Sequence, residues 1–233
     1  MNLYKHYSFD LWLTLIRSNP EFKNKRAAYF YKNFNHLKKT VEEVIYIFRQ
    51  VDLMSNAINE KTGKNIDADE MYLMVISLIN ENTLPLSQVD LQQVFRDMEG
   101  LLYDYLPFVY CHETIPVLSH LKENSTHSLS ILSNTGFIKG NTLRKVLKEL
   151  QLSAFFDFQL YSDEAGLSKP SKEFFEMMLT KVVERRGKEL INPEEIIHVG
   201  DNVMADIEGA RTVGINTFLI NSNELRIADL IKK

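Results

Sequence analysis

From Cys111 onward the chain alternates short apolar runs with helix-length amphipathic stretches, and this alternation limits the fold more than any other feature. A helix near Glu113–Glu123 leads to a strand at Ser128–Leu132, and one near Asn141–Leu150 leads to Phe156–Tyr161. A helix from Pro170 to about Arg185 leads to Glu195–Val199, and one near Ala205–Val213 leads to Thr217–Ile220. Such a series specifies a parallel sheet with helices on both faces. Right-handed crossovers then align the carboxyl ends of the strands along one edge. In open α/β sheets that edge is where ligands bind. An aromatic-rich run, Leu3 to Phe9, reads as the first strand of the same sheet, and Asp10 stands at its end.

The stretch between Asn19 and Pro107 has a different character, with several helical patterns and little that suits a strand. One helix is expected from about Glu21 to Tyr31. Thr40-Val41-Glu42-Glu43 has the form of a capping box, followed by Val41, Val44, Phe48, Val51 and Ile58 at helical spacing. Asp67 or Asp69 can start a helix through Met71, Met74 and Leu78. Ser87 can cap another, through Leu91, Val94, Phe95, Met98, Leu101, Leu102 and Tyr105, which Pro107 ends. Tyr29, Phe30, Tyr31 and Phe34 are expected to pack this block rather than line a pocket. The chain therefore divides into an α/β core, residues 1–17 and 110–233, and an all-helical insert, residues 18–109.

The strand ends carry the polar residues of interest. Asp10 either caps a turn or does chemistry, because a lone buried carboxylate is costly. The second strand ends in Ser133-Asn134-Thr135-Gly136, a helix-capping turn or an oxyanion cradle. Lys169 precedes a helix start, where a cation is disfavoured by the helix dipole but well placed for phosphate. The fourth strand ends in Gly200-Asp201, with Asp206 five residues on. Asp206 either supports its helix N-terminus or joins Asp201 in binding a hard divalent cation through oxygen. Taken together, a carboxylate, a hydroxyl, a lysine and an acid pair converge on one edge, which suits phosphoryl chemistry on a carboxylate nucleophile. His198, inside a strand, reads as a buried hydrogen-bonded histidine. Cys111 is assigned no role, and Lys181, Arg185, Arg186 and Lys188 read as a solvated helix end.

The ordered motifs resemble those of the haloacid dehalogenase (HAD) superfamily over the whole chain. Phe9-Asp10 through Thr14-Leu15 is similar to its first motif and Leu132-Ser133-Asn134 to its second. Lys169-Pro170 is similar to the third, and Val199-Gly200-Asp201 with Asp206 to the fourth. The resemblance implies a Rossmann-like core with the helical insert as a substrate-selecting cap. It implies Asp10 as nucleophile, Ser133 and Asn134 as phosphate-binding residues, and Lys169 as the cation that neutralises phosphoryl group and nucleophile. It also implies Mg2+ held by Asp10, Asp201, Asp206 and the backbone carbonyl of Trp12. The expected partner is a small phosphorylated metabolite. Trp12 and, more weakly, Arg17 are candidates for the substrate pocket.

The first motif departs from the family pattern. Its phosphatases usually carry aspartate two residues after the nucleophile, then glycine; this chain has Trp12 and Leu13. That aspartate is the general acid and base, and indole can do neither job. The loss is worth about 10²–10⁴-fold in rate, or about 3–5 kcal/mol of barrier. Three readings stay open: a phosphatase weakened or limited to good leaving groups, a metal-independent 2-haloacid dehalogenase-like hydrolase, and a non-catalytic module that binds a phosphorylated ligand. A net charge of −4 argues against nucleic acid as the main partner. One cysteine excludes an intramolecular disulfide, and with no signal-peptide or membrane-span pattern a cytoplasmic protein is expected.

Overall fold

The computed structural model describes residues 4–187 and 190–232. Leu3 of the expected first strand and Lys188 of the basic cluster lie outside the described residues. The chain opens with β1 (His6–Phe9) and turns back through β2 (Ile16–Arg17). Four helices follow: α1 (Pro20–Asn33), α2 (Val41–Thr62), α3 (Ala68–Ile79) and α4 (Leu91–Asp104). The return strand β3 (Phe108–Val109) pairs antiparallel with β2, Ile16 opposite Val109, so a two-stranded ribbon joins the helical unit to the core. The core continues with α5 (Thr114–Glu123), β4 (Ser128–Ser133), α6 (Gly140–Glu149), β5 (Phe158–Tyr161), α7 (Ser162–Ala165) and α8 (Lys172–Arg186). It ends with β6 (Ile196–Gly200), a π-type turn Val203–Glu208, α9 (Gly209–Arg211) and β7 (Asn216–Leu219).

The five long strands form one parallel sheet in the order β5-β4-β1-β6-β7, as the alternation requires. The chain leaves β1 to build one side through β4 and β5, then returns to build the other through β6 and β7. The strand order thus reverses around β1, and the crevice at that point opens beside Asp10. One sheet face carries Tyr7, Phe9, Leu129, Ile131, Ile197 and Val199 and packs on Leu118 and Leu121 of α5 and Leu143 and Leu147 of α6. The other carries Leu132 and Ile196 against Phe174, Phe175 and Met178 of α8. That face also buries polar groups. His6 meets the Ser128 and Ser130 hydroxyls at 2.7 and 2.9 Å, and His198 Nδ1 meets Ser8 Oγ at 2.9 Å. His198 is the buried, hydrogen-bonded residue expected.

The helical unit has its own apolar centre, in which Phe30, Val44, Phe48, Val51, Met71, Tyr72, Val75 and Val94 are buried. Tyr29, Phe30 and Phe34 pack together there, as expected, whereas Tyr31 faces solvent. The Thr40–Glu43 capping box forms, with Thr40 Oγ1 accepting from the Glu43 N–H and Glu43 Oε2 from the Thr40 N–H. Some details differ from expectation. Ser87 sits in a separate short turn, and Asp90 caps α4, because its Oδ1 reaches the Gln93 N–H. Ile58 and Leu78 lie on solvent faces: the buried stripe of α2 runs through Val44, Phe48, Val51, Ser55 and Asn59. Helix α8 starts at Lys172, two residues after Pro170, and the expected last helix is mostly the π-type turn. Arg186 is tied to the backbone rather than solvated, donating to the Lys5 and Thr126 carbonyls. Among the described residues, no helix is long and apolar enough to cross a membrane.

The α2–α3 turn docks on the core. Ser168 N–H donates to the Gly63 carbonyl at 2.9 Å, Lys64 and Leu167 form an antiparallel bridge, and Ser162 Oγ donates to Asn65 Oδ1 at 2.7 Å. The helical unit therefore touches the loop that carries Lys169.

His6 is fully buried, and burial pushes its pKa down to about 3. Below the ordinary value of 6.5 the unfolded chain takes up a proton that the folded chain refuses until pH falls to about 3. This group therefore lowers stability as pH falls across that window, by up to ~1.4 kcal/mol per pH unit. The stability curve of His6→Gln, measured by urea unfolding from pH 7 to 4, should be flatter than that of the wild type. Parallel curves would contradict this account.

Candidate active site

Asp10 continues β1, its N–H donating to the Val199 carbonyl at 2.8 Å, so its position is fixed by the sheet. The next turn is closed by Leu15 and Ile16 N–H groups on the Leu11 carbonyl. Leu13 adopts φ 58°, a left-handed conformation that is costly for a side-chain-bearing residue. Asn221 donates to its carbonyl at 2.8 Å and helps hold it there.

Lys169 is 1% exposed, and its Nζ lies 2.6 Å from Asp10 Oδ1 and 2.6 Å from Asp206 Oδ1. Asn134 fixes the lysine from behind. Its amide donates to the Lys169 carbonyl at 3.0 Å and its oxygen accepts the Lys169 N–H at 2.7 Å. The side chain of Asn134 thus positions Lys169 while also lining the cavity. Asp206 also accepts from His198 Nε2 at 3.2 Å and from the Asn202 N–H at 3.0 Å. Its carboxylate lies so close over Gly200 that a Cβ there would come within 2.2 Å of it, which explains the glycine. Asp201 completes a group of three acids whose oxygens lie within 4.8 Å of one another.

Electrostatics sets these acids apart. Burial raises Asp10 to about 7, with Asp206 and Asp201 adding to the effect and Lys169 opposing it. Burial, reinforced by Asp206, raises Asp201 to about 6. Burial would also raise Asp206, but Lys169 and His198 outweigh it and hold that carboxyl well below the usual range. Burial disfavours the charge on Lys169, yet Asp10 and Asp206 raise it above the ordinary lysine value. When all are ionised, three carboxylates face one ammonium, leaving two negative charges in excess. The donors are hard oxygens, and a divalent cation would balance that excess, so the residues fit Mg2+.

These groups open into a cavity of about 580 Å³ between core and helical unit. Asp10, Trp12, Asn134, Lys169, Asp201 and Asp206 line it, so the structure brings together residues from four separate stretches. Two expected residues stand apart. Ser133 is fully buried at the end of β4, outside the cavity lining, and its hydroxyl donates to the Asn134 carbonyl at 3.2 Å. Arg17 lies in the β2–β3 ribbon with its guanidinium 5.7 Å from the Phe108 ring centre, also outside the lining; it is not a pocket residue. Thr135 and Gly136 of the expected cradle line the cavity, while sequence reasoning missed Asn202 on the core wall and Lys23, Arg26, Arg49 and Asp52 on the helical wall. The helical ones carry no motif, and only the packing of α1 and α2 turns them toward Asp10.

The model of the haloacid dehalogenase-like hydrolases matches residues 4–214, and the chain belongs to that family. A glyceraldehyde 3-phosphate phosphatase of Pyrococcus furiosus is 37% identical over 178 residues, covering 70% of this chain and 69% of that protein. An uncharacterized hydrolase of Schizosaccharomyces pombe is 33% identical over 102 residues, 44% of this chain. That match spans 42% of the yeast protein, and the match to a human haloacid dehalogenase-like hydrolase domain-containing protein 3 spans 36% of its length. Among solved structures, the Bacillus subtilis HAD-hydrolase YfnB bound to magnesium superposes with a TM-score of 0.69 at 18% identity, covering 95% of this chain and 91% of that one. The L-2-haloacid dehalogenase of Xanthobacter autotrophicus has a TM-score of 0.58 at 16% identity, covering 92% and 76%. These superpositions establish the shared fold.

Removing the ammonium would leave its acids buried without compensation. Lys169→Met should therefore lower the unfolding free energy by about 3–5 kcal/mol. Urea titration at pH 8 measures this, and stability equal to the wild type would contradict the assigned pairing.

Proposed function

We propose that this protein is a magnesium-dependent phosphatase that moves a phosphoryl group from a small phosphorylated metabolite to Asp10 and then to water. The observation that carries the reading is the buried Lys169 ammonium held 2.6 Å from both Asp10 and Asp206 at the floor of the cavity. The similarity to phosphatases of Pyrococcus furiosus and Methanothermobacter thermautotrophicus supports the same reaction class.

Asp10, Asp201, Asp206 and the Trp12 carbonyl would hold the ion, which when bound supplies positive charge to carboxylates and phosphoryl oxygens alike. The chain's own groups do the rest. An Asp10 oxygen attacks phosphorus, and the bond to the leaving oxygen breaks with its electron pair going to that oxygen. Water then attacks phosphorus in the aspartyl phosphate, releasing inorganic phosphate and the Asp10 carboxylate. Lys169 offsets the charge that gathers around Asp10, and Asn134 keeps the lysine in place. Ser133 would have to turn from the Asn134 carbonyl to reach the phosphoryl group. Trp12 cannot protonate a departing alkoxide, so acyl and aryl phosphates are the favoured substrates.

A dehalogenase reading has one observation in its favour: Trp12 lines the cavity, and halide leaves without a proton. The three clustered carboxylates count against it, because a metal-free displacement has no use for Asp201. In the phosphatase reading the helical unit is a cap that swings on the β2–β3 ribbon and closes through the α2–α3 turn.

Phosphate release from acetyl phosphate and p-nitrophenyl phosphate should require Mg2+, stop with a chelator and vanish in Asp10→Asn. Metal-independent chloride release from 2-chloropropionate would overturn the reading. Trp12→Asp should raise kcat on alkyl phosphates by about 10²-fold or more; no gain would mean that the missing acid is not limiting. A disulfide between Asn65→Cys and Ser162→Cys should lock the cap and abolish turnover until reduced. Unaffected turnover in the oxidised protein would rule out cap opening.

A further inference from the structure

One charged group in the cavity has no part in this mechanism. Arg26 of α1 is 9% exposed and lines the same cavity as Asp10. Its guanidinium carbon lies 4.2 Å from the ring centre of Phe48, 4.5 Å from Phe137 and 5.5 Å from Phe22. Its Nε is buried without a hydrogen-bond partner. Arginine does not shed its proton in proteins, so the site carries a permanent buried cation. Aromatic faces hold such a cation, and the Tyr72 hydroxyl accepts one of its hydrogen bonds, but the Nε N–H is left unused. The nearby Asp52 carboxylate favours the charge, but its Oδ2 accepts from Arg49 Nη1 at 3.1 Å. Glu60, the other acid on the helical wall, accepts from Asn202 Nδ2. The carboxylate cluster thus lies at the core end of the cavity, and the helical end carries Lys23, Arg26 and Arg49 beside Asp52 and Glu60, whose oxygens have partners of their own.

We propose that Arg26 receives a second oxyanion of the substrate, so that the preferred substrates are phosphomonoesters that also carry a carboxylate or a second phosphate. The proposal rests on the phosphatase reading and narrows it. The planar guanidinium fork, kept in orientation by Phe48 and Phe137, suits either oxyanion by paired N–H donation. A neutral tail would bury the same cation with nothing to meet it, and sites built around a polar partner reject analogues that lack it.

The test compares matched aryl phosphates on the full-length protein with Mg2+: 4-carboxyphenyl phosphate against phenyl phosphate, and hydroquinone bisphosphate against 4-hydroxyphenyl phosphate. The first pair isolates a carboxylate and the second a phosphate. Wild-type kcat/KM should favour the anionic member of at least one pair by about 10-fold or more, as charged hydrogen bonds do. In Arg26→Gln that ratio should collapse toward one, mainly through KM, and Arg26→Lys should restore part of it. A purely structural arginine would lower both members together and leave the ratio intact, which would overturn the proposal, as would a wild type that hydrolyses both members equally. If the protein turns over no phosphate ester, the phosphatase reading fails, and calorimetric titration with the same compounds still decides this point. Tighter binding of an anionic member that Arg26→Gln abolishes would sustain it, and equal binding would overturn it.

Discussion

The site depends on one ion triad. Lys169 lies buried between Asp10 and Asp206, and each of the three would be costly to bury alone. The triad ties together the ends of three otherwise separate stretches: the exit of β1, the loop before α8 and the turn after β6. Each is anchored by backbone or side-chain hydrogen bonds, from Asp10 to β6, from Lys169 to Asn134 and from Asp206 to His198 and Asn202. His198 in turn rests on Ser8 of β1, so the polar contacts on one sheet face lead directly into the site. The charge left over by this arrangement is negative, which is why the same geometry suits a hard divalent cation.

The helical unit contributes in two ways. Its α2–α3 turn pairs with Leu167 and Ser168, next to Lys169 in sequence, so docking of the unit and placement of the lysine share one loop. Its α1 and α2 faces supply the far wall of the cavity, where phenylalanines stand beside three cations, Lys23, Arg26 and Arg49, and two acids, Asp52 and Glu60. Floor and wall are thus divided between core and insert. In the proposed reaction the floor would set the reaction type and the wall would select the substrate. Trp12 lines the same cavity, two residues from Asp10, and in the proposed reaction it would limit the leaving groups that can depart.

Much of this was legible in the sequence because it rests on local rules. Strand–helix alternation gave the parallel sheet, and the expected site residues other than Ser133 and Arg17 stand on the cavity wall. The Thr40 capping box and the buried state of His198 also followed from short-range pattern. Other features depended on contacts between distant segments. The roles of Asn134 and Asp206 as organisers of Lys169 arise from pairings across more than thirty residues of sequence. Ser87 and Asp90 both offer an N-cap oxygen, and tertiary packing rather than composition selects Asp90. Arg26 looks like any helix-surface arginine until three phenylalanines from α1, α2 and the loop after β4 close around it.

The central claim is that Asp10 carries the phosphoryl group. Its most direct test is to mix the protein with Mg2+ and acetyl phosphate, quench within a turnover with borohydride, and map the peptides by mass spectrometry. Borohydride reduces an acyl phosphate to the alcohol, so position 10 should be recovered in part as homoserine, and only when phosphate donor and metal are both present. Turnover of the donor with Asp10 recovered unchanged, or with the reduced residue elsewhere in the chain, would contradict the account.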